Sequence, residues 1–511
     1  MKKFILLAFV LASFVDCLGQ RKVTLKKAET LKGSIQDGVR VDWVVGGVVF
    51  EQNQTTIYCD SAIFDRVKNS VEAYGRVRIV EGDSVTVTAS RLTYDGNKKI
   101  AYLRKNVVFT KLETATLYTD FLDFDRTKNI AKYFNRGKLV DSTNTLTSVK
   151  GYYNLNTNIA SFKNSVVGVN KDNTLRSDTL QYSSRSKVIF FRAYTQVEDK
   201  QGGVGYYEHG QYDTRGKISN LTQGDFETSA YRLRGTKLFL DDVRKFYRAQ
   251  GNVAMTSKEE NMTIYGDDGF YDKKALISKV YGHAFAARVS DDQDTIFISA
   301  DTLVSIDSPD PKKKRLLAYR DVRIFKNDLQ GKADSLVYQA SDSTIYFYGN
   351  PVLWTEGNQM TADSISVLLV RKKINKIYMV STAFVSSTDS LKNFNQIKGR
   401  KMTAYFDEKN IHHVNVEGNG ESIYFALQQI KEKANDSTRT ISIVSGMNKI
   451  ICSNMRINFK AGKINNISFY VKPDASFIPP HELRKEEILL KGFSWRAVDR
   501  PTRGTVVQRQ P

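Results

Sequence analysis

A short phrase recurs along almost the whole chain: a bulky apolar residue followed by a polar turn. It reads Phe64-Asp65-Arg66-Val67-Lys68-Asn69, then Tyr94-Asp95-Gly96-Asn97-Lys98-Lys99, Phe124-Asp125-Arg126-Thr127-Lys128-Asn129 and Tyr153-Asn154-Leu155-Asn156-Thr157-Asn158. Further copies begin at Tyr182, Tyr212, Leu240, Tyr271, Ile306, Tyr338, Leu369, Phe406 and Phe459, which makes thirteen starts. Most steps between them are 28–32 residues, and steps of 35, 37 and 53 mark insertions, one of them Ser308-Pro309-Asp310-Pro311-Lys312-Lys313-Lys314-Arg315. A sustained period of this length is the mark of a repeat architecture, in which each unit buries its apolar side only by stacking on its neighbours.

Each copy carries strand chemistry. Val85, Val87, Ala89, Leu92 and Tyr94 are interleaved with Thr86, Thr88, Ser90 and Thr93, and after the turn Val71, Ala73, Val77 and Ile79 form a further run. Alternation at period two in Val, Ile, Thr, Tyr and Phe predicts strands with one buried face. The turns use Asp, Asn, Gly and Lys, of which Asp and Asn bond their own backbone and Gly and Asn tolerate left-handed conformations. A second punctuation, Gly75-Arg76-Val77, is echoed at Asn106-Val107, Gly137-Lys138-Leu139, Gly251-Asn252-Val253 and Asn350-Pro351-Val352 and predicts a second bend in every unit. Helical periodicity is nearly absent; only Ile423, Leu427 and Ile430 have a spacing that would fit one helix face. The expected fold is all-β: an elongated solenoid of about thirteen units of ~30 residues, with apolar faces turned to a common interior. Such an interior is either a packed core or a partly open trough that holds an apolar ligand.

Composition narrows the class. Of 511 residues 41% are hydrophobic, with 28 Phe and 26 Tyr, too much apolar surface for general disorder. Only 8 Pro occur and none precedes Ser308, which argues against domains strung on Pro-rich linkers. Mean hydropathy is −0.39, which excludes a multispan helical membrane protein. Residues 1–19 read as a secretory signal: Lys2 and Lys3 open it, Phe4 to Val15 is an apolar run too short to span a bilayer, and cleavage would leave Gln20 first. Cys17 sits at the depth of a lipoprotein cysteine, but Asp16 stands where a small residue is wanted. Cys59 and Cys452 are then left as two buried thiols. The net charge of +21 fits either a generally basic, solvated surface or an anionic partner, for which an exported protein offers an anionic lipid or phosphorylated glycolipid sooner than nucleic acid.

The unit also has a recognisable wording. Asp60-Ser61-Ala62-Ile63-Phe64-Asp65, followed by Ala73-Tyr74-Gly75-Arg76-Val77, resembles the repeat of the OstA/LptA family. Asp120-Phe121-Leu122-Asp123-Phe124-Asp125, Asp178-Thr179-Leu180-Gln181-Tyr182, Asp334-Ser335-Leu336-Val337-Tyr338 and Asp363-Ser364-Ile365-Ser366-Val367 repeat it. Ser90, Lys150, His209 and Lys401 occupy or neighbour the Asp position and depart from it. The resemblance runs over roughly residues 25–415 and more faintly to Lys472.

It implies a β-jellyroll or "taco" of two sheets that carries lipopolysaccharide across the periplasm with its acyl chains inside. It also implies end-to-end strand pairing with proteins of the same fold, LptC-like or LptD-like, or with itself. The barrel that follows this fold in LptD is not expected after these repeats. The domains expected are a signal peptide at 1–19, a repeat domain at 20–420 with a break near 308–315, a final repeat with an insertion at 421–472, and a Pro-containing cap or tail at 473–511. Localisation in the periplasm, in association with the outer membrane, follows from the signal and the resemblance.

The candidate groove residues are the apolar alternation positions Leu92, Tyr94, Val107, Phe109, Leu122, Phe124, Leu180, Tyr182, Leu336, Tyr338, Ile365 and Val367. Arg66, Lys68, Arg126 and Lys128, in the turns, are candidates for head-group phosphates. No cofactor or metal is expected. Only five His occur, and in His412-His413 adjacent strand residues should face opposite ways. The sequence shows no phosphate loop or dinucleotide fingerprint, and the recurring Asp read as turn residues; the expectation is a protein that is not an enzyme. The alternatives are a β-helix polysaccharide-acting enzyme and a non-catalytic envelope scaffold. The tail reads as a cap over the last strands or a docking peptide, disordered from Thr502.

Overall fold

The computed structural model describes residues 22–507, apart from 37, 112–114, 290–293, 356, 372, 408–409, 435–436 and 461–462. The expected signal at 1–19 lies outside the described residues. Regular structure is almost entirely antiparallel strand. One period is two strands and two turns, as in Thr55–Asp65, Ser70–Glu81, Val85–Asp95, Ile100–Lys111 and Ala115–Asp125, each paired with the next.

The recurring turn has a local cause. Asp65 Oδ1 accepts the N–H groups of Val67 and Lys68 at 2.9 and 2.8 Å, and Asp95, Asp125, Asp213, Asp241 and Asp272 cap their own turns the same way. The turn closes on a left-handed residue, Asn69 (φ 55°), Lys99 (57°) or Asn129 (55°). The carbonyl of that residue accepts an N–H from the next turn: Gly96 on Asn69, Arg126 on Lys99, Leu155 on Asn129. The turns thus stack as a ladder of their own, which satisfies backbone groups that a lone hairpin would leave to water.

The second punctuation is a corner. Register shifts interrupt the pairing in mid-strand, between Tyr58 and Ser61, Tyr74 and Val77, Thr88 and Arg91, and Arg104 and Val107. These are β-bulges, which bend a strand and turn its side chains to a new direction. Gly75 (φ 69°) is required at one of them, since a Cβ there would lie 2.5 Å from Asp60 Oδ2. Asp60 also receives Arg76, and Asp120 Oδ1 accepts the N–H of Asn106 at the next corner, so the first Asp of the repeated phrase braces the bend. Each strand therefore contributes one half to a flank beside the Asp turns and the other half to an opposite flank.

Two compact units are found. The first holds the described residues up to Gln201 together with Tyr206–Gly216; the second holds Gly202–Gly205 and the chain from Lys217. The insertion at 308–315, expected to break the repeats, is a long turn: Thr295–Ile306 and Arg315–Lys326 pair across it from Phe297↔Phe325 to Ile306↔Arg315. In the second unit the same meander, bent by the same mid-strand bulges, encloses a core that includes Val280, Leu303, Ala318, Leu336, Ile365, Ile377 and Ile457. The helix signal at Ile423, Leu427 and Ile430 is overridden: all three lie in strand Asn410–Ala434, opposite Lys449, Val444 and Ile441 of Ser437–Lys460.

The tail packs back along the second unit. Gln330, Trp354, Gln359, Ser386, Gln396 and Ile423 stand in direct register across six strands. Their neighbours Leu353 and Met360 point into the core, so this row faces the other way. The tail covers it. Gln396 Nε2 donates to the Ile488 carbonyl and its Oε1 accepts the Leu490 N–H; Gln359 does the same to Ser494 and Arg496. Arg500 reaches Gln330, Lys332 reaches Asp499, and Phe493 packs on Phe384 and Phe394. Beyond Thr502, where disorder is expected, Arg503–Val506 is a short helix capped by the Thr502 side chain, with Val506 fully buried.

Candidate apolar interior site

In the first unit the aromatic that opens each Asp turn points inward and meets a small partner on the next strand. Phe64, Val71, Tyr94, Ala101, Phe124, Ala131, Tyr153, Ala160 and Tyr182 form one row in direct register. Alternating large and small side chains let a narrow interior fill without voids. The facing flank supplies Phe50, Ile57, Ile79, Val87, Phe109 and Leu117, also in register.

The eight groove candidates of this unit, Leu92, Tyr94, Val107, Phe109, Leu122, Phe124, Leu180 and Tyr182, all lie on these inward faces and are at most 1% exposed. In the second unit Leu336, Ile365 and Val367 are equally buried, whereas Tyr338 is only half-buried. In the first unit the flanks meet: Phe50 lies 5.3 Å from Phe64 and Phe109 5.6 Å from Phe124 between ring centroids. An acyl chain placed between them would have to part the flanks. A hollow of about 760 Å³ sits elsewhere, at the corner line, with Asn106, Tyr118, Asp120, Arg136, Lys138 and Thr147 among its lining.

Where the free ends of the two flanks approach, polar side chains bridge them. Gln52 Nε2 donates to the Gly96 carbonyl at 2.9 Å, and Arg126 Nη2 to Glu81 Oε1 at 2.9 Å. Lys111 Nζ donates to the Leu155 carbonyl and Asn158 Oδ1 at 2.7 and 2.6 Å, and Lys187 Nζ to Asp141 Oδ2 at 2.8 Å. The partners are 44–47 residues apart, about one and a half repeats, so each bridge ties a strand end to the Asp turn across the mouth. Tyrosines of the inward row hydrogen-bond to this seam: Tyr94 is bonded to Gln52 and Arg126, and Tyr182 to Asp141.

These bridges are withdrawn from water. Asp141 is fully buried and Lys187 nearly so. Burial pushes the Asp141 carboxyl up, but hydrogen bonds from Lys187 and Tyr182 outweigh it and hold the group below its ordinary pKa. Burial also works against the Arg126 cation, and Glu81 and Tyr94 overcome it to raise its pKa. Lys111 has its pKa lowered, first by burial and then by repulsion from Arg185.

The four basic turn residues thus separate. Arg126, expected at the mouth as an open contact for phosphate, is instead a buried member of the seam, because its turn folds over Glu81. Arg66 is largely exposed and reaches buried Asp42 at 2.6 Å; Lys68 and Lys128 are exposed and lie 3.6 and 3.5 Å from their own turn Asp. Sequence reasoning missed Gln52, Glu81, Lys111 and Asp141, although the four stand 29 or 30 residues apart.

A metal site would draw on the His, Cys, Asp and Glu side chains of the described residues. None of them forms a group of three or more His, Cys, Asp or Glu placed to hold a metal. His412 and His413, expected to face apart, are brought together by a bulge opposite Tyr405 and Phe406: their Nδ1 atoms lie 2.7 Å apart and His413 stacks on Tyr405. Cys59 is a buried thiol, pushed up to about 12 by burial and by Asp60, and Cys452 is buried as well.

Comparison with known proteins places the repeats. Residues 20–178 match the family model of OstA-like protein, and residues 282–373 match that of the LptA/(LptD N-terminal domain) LPS transport protein. No curated protein matches the chain. Among solved structures it is similar to LptH of Pseudomonas aeruginosa, described as the LptA-homologous periplasmic component of the lipopolysaccharide transport device. That similarity has 15% identity and a TM-score of 0.21 and covers 23% of this chain and 82% of the other.

Proposed function

The chain belongs to the OstA/LptA-like family, and from that premise we propose that it is a periplasmic lipopolysaccharide-binding carrier or bridge for outer-membrane assembly. The observation that supports this most is the pair of facing apolar rows, continuous from strand to strand, one of them aromatic at every second position. An acyl chain costs about 0.8 kcal/mol per CH₂ in water. Rows of Leu, Phe and Tyr remove that cost by contact alone, and no covalent step is required. Groove contacts are assigned to Leu92, Tyr94, Val107, Phe109, Leu122, Phe124, Leu180 and Tyr182 in the first unit and to Leu336, Tyr338, Ile365 and Val367 in the second. Arg66, Lys68 and Lys128 remain exposed cations for head-group phosphates.

Assembly with other proteins of the fold, LptC-like or LptD-like, is assigned to strand edges. At the N-terminal end Thr24–Lys27 and Thr30–Gln36 pair with Val39–Gln52 and are the outermost strands there among the described residues.

A second reading, a non-catalytic envelope scaffold, draws on the ring contacts that fill the interior of the first unit. A photo-crosslinking residue at Phe109 or Leu122 in cells decides between them. The carrier reading expects lipopolysaccharide adducts at both positions; silence at both leaves the scaffold.

A further inference from the structure

Four bridges close the mouth of the first unit, and three of them are made by a cation. This is chemically odd for a seam that only had to be shut. Neutral hydrogen bonds would close it without the desolvation cost of burying Arg126 and Lys187. It is less odd if the cations have a second set of partners. A lipid whose tails lie between the flanks must leave its head group at the mouth, because phosphates do not enter an apolar interior. The side chains at the mouth are those of the seam.

We propose that the lipid enters the first unit by parting this seam, and that Arg126, Lys111 and Lys187 then exchange their present acceptors for the phosphates of the head group. The proposal rests on the carrier reading and names the residues that would select a phosphorylated amphiphile. The exchange keeps each cation paired. Arg126 gives up the Glu81 carboxylate and Lys187 the Asp141 carboxylate, while Lys111 gives up the Leu155 carbonyl and the Asn158 amide oxygen for a stronger, charged acceptor. Lys111 stands close enough to Arg185 for the two cations to repel, an arrangement that an incoming anion relieves. Because Tyr94 and Tyr182 bond both into the seam and lie in the inward aromatic row, opening the bridges also frees that row.

The test separates loosening from recognition. Asp141→Asn and Glu81→Gln weaken the seam and keep its cations. The doubles Asp141→Asn/Lys187→Met and Glu81→Gln/Arg126→Met weaken it and remove them without stranding a buried charge. The full chain is offered bis-phosphorylated lipid A and its dephosphorylated counterpart in detergent micelles, and capture is followed by native mass spectrometry. Thermal unfolding checks each variant, and the Glu81 pair carries the test if the Asp141 pair fails to fold. The single variants are expected to capture phosphorylated lipid several-fold faster than the parent. The doubles should capture it about tenfold more weakly than the singles, the effect of about 1.4 kcal/mol, and take up dephosphorylated lipid as the singles do. Equal capture of phosphorylated lipid by singles and doubles would show the cations to be structural. Singles no faster than the parent would rule out the seam as the route. Capture by no form at all would overturn the carrier reading itself.

Discussion

Replacing Gln396 by alanine should release the C-terminal strap without unfolding the sheet beneath it. Gln396 is fully buried, and its amide makes both hydrogen bonds that hold this stretch of the strap, to the Ile488 carbonyl and from the Leu490 N–H, each at 2.8 Å. Alanine removes both and leaves two main-chain groups facing a cavity. A buried group left unpaired costs about 1–3 kcal/mol, so the two together cost roughly 2–6 kcal/mol. That loss falls on the strap, because the sheet keeps its own ladder through Ser386 and Ile423. Local opening should then become at least about 30-fold more frequent and at most about 20,000-fold, at about 1.4 kcal/mol per factor of ten. Hydrogen exchange read by mass spectrometry would show this as faster labelling of 486–496, with Thr55–Asp125 of the first unit unchanged. Unchanged protection at 486–496 would mean that the ring contacts of Phe493 with Phe384 and Phe394 hold the strap and the glutamine does not. Loss of protection throughout the second unit would mean that the strap is part of the core and not an overlay.

Other perturbations test the interior and the bends. Phe124→Ala removes a fully buried ring in contact with Phe109 and should cost about 3–5 kcal/mol by chemical denaturation; a cost below about 1 kcal/mol would show an interior loose enough to accept a guest unaided. Asp141, held below its ordinary pKa, contributes stability that is present above about pH 4 and lost as pH falls through its depressed value. Thermal unfolding between about pH 4 and 2 should therefore fall more steeply for the parent than for Asp141→Asn, and parallel profiles would refute the linkage. Gly349→Ala places a Cβ 2.4 Å from Asp334 Cβ at a φ of +74° and should cost about 1–3 kcal/mol in the second unit.

What could be seen in the sequence, and what could not, follows from the range of the interactions. The Asp turn and the corner are local: the capping Asp, the left-handed Asn or Lys and the glycine lie within a few residues, so the phrase around Phe64 announced both the strand ends and the bend. The strap is not local. Gln330, Gln359 and Gln396 occupy outward positions of alternating strands, where a polar residue is what a solvent-facing row requires. Their burial depends on a segment 92–170 residues away. The insertion at 308–315 is ambiguous for a related reason, since Pro309 and Pro311 mark a turn whether or not the strands on either side pair across it, as Thr295–Ile306 and Arg315–Lys326 do.

The seam lies between these cases. Gln52, Glu81, Lys111 and Asp141 recur once per repeat at the strand end opposite the Asp turn, a regularity as plain as that of the turns. It passes unnoticed because a charge before a turn is the commonest solvated residue in a β protein. Its meaning appears only when the flanks close and carry that end to the turn one and a half repeats later. A periodic charge in a repeat protein is therefore ambiguous until the unit's cross-section is known. In an open section it faces water; in a pinched one, as with Asp141 and Lys187, it becomes a buried pair that holds the mouth shut.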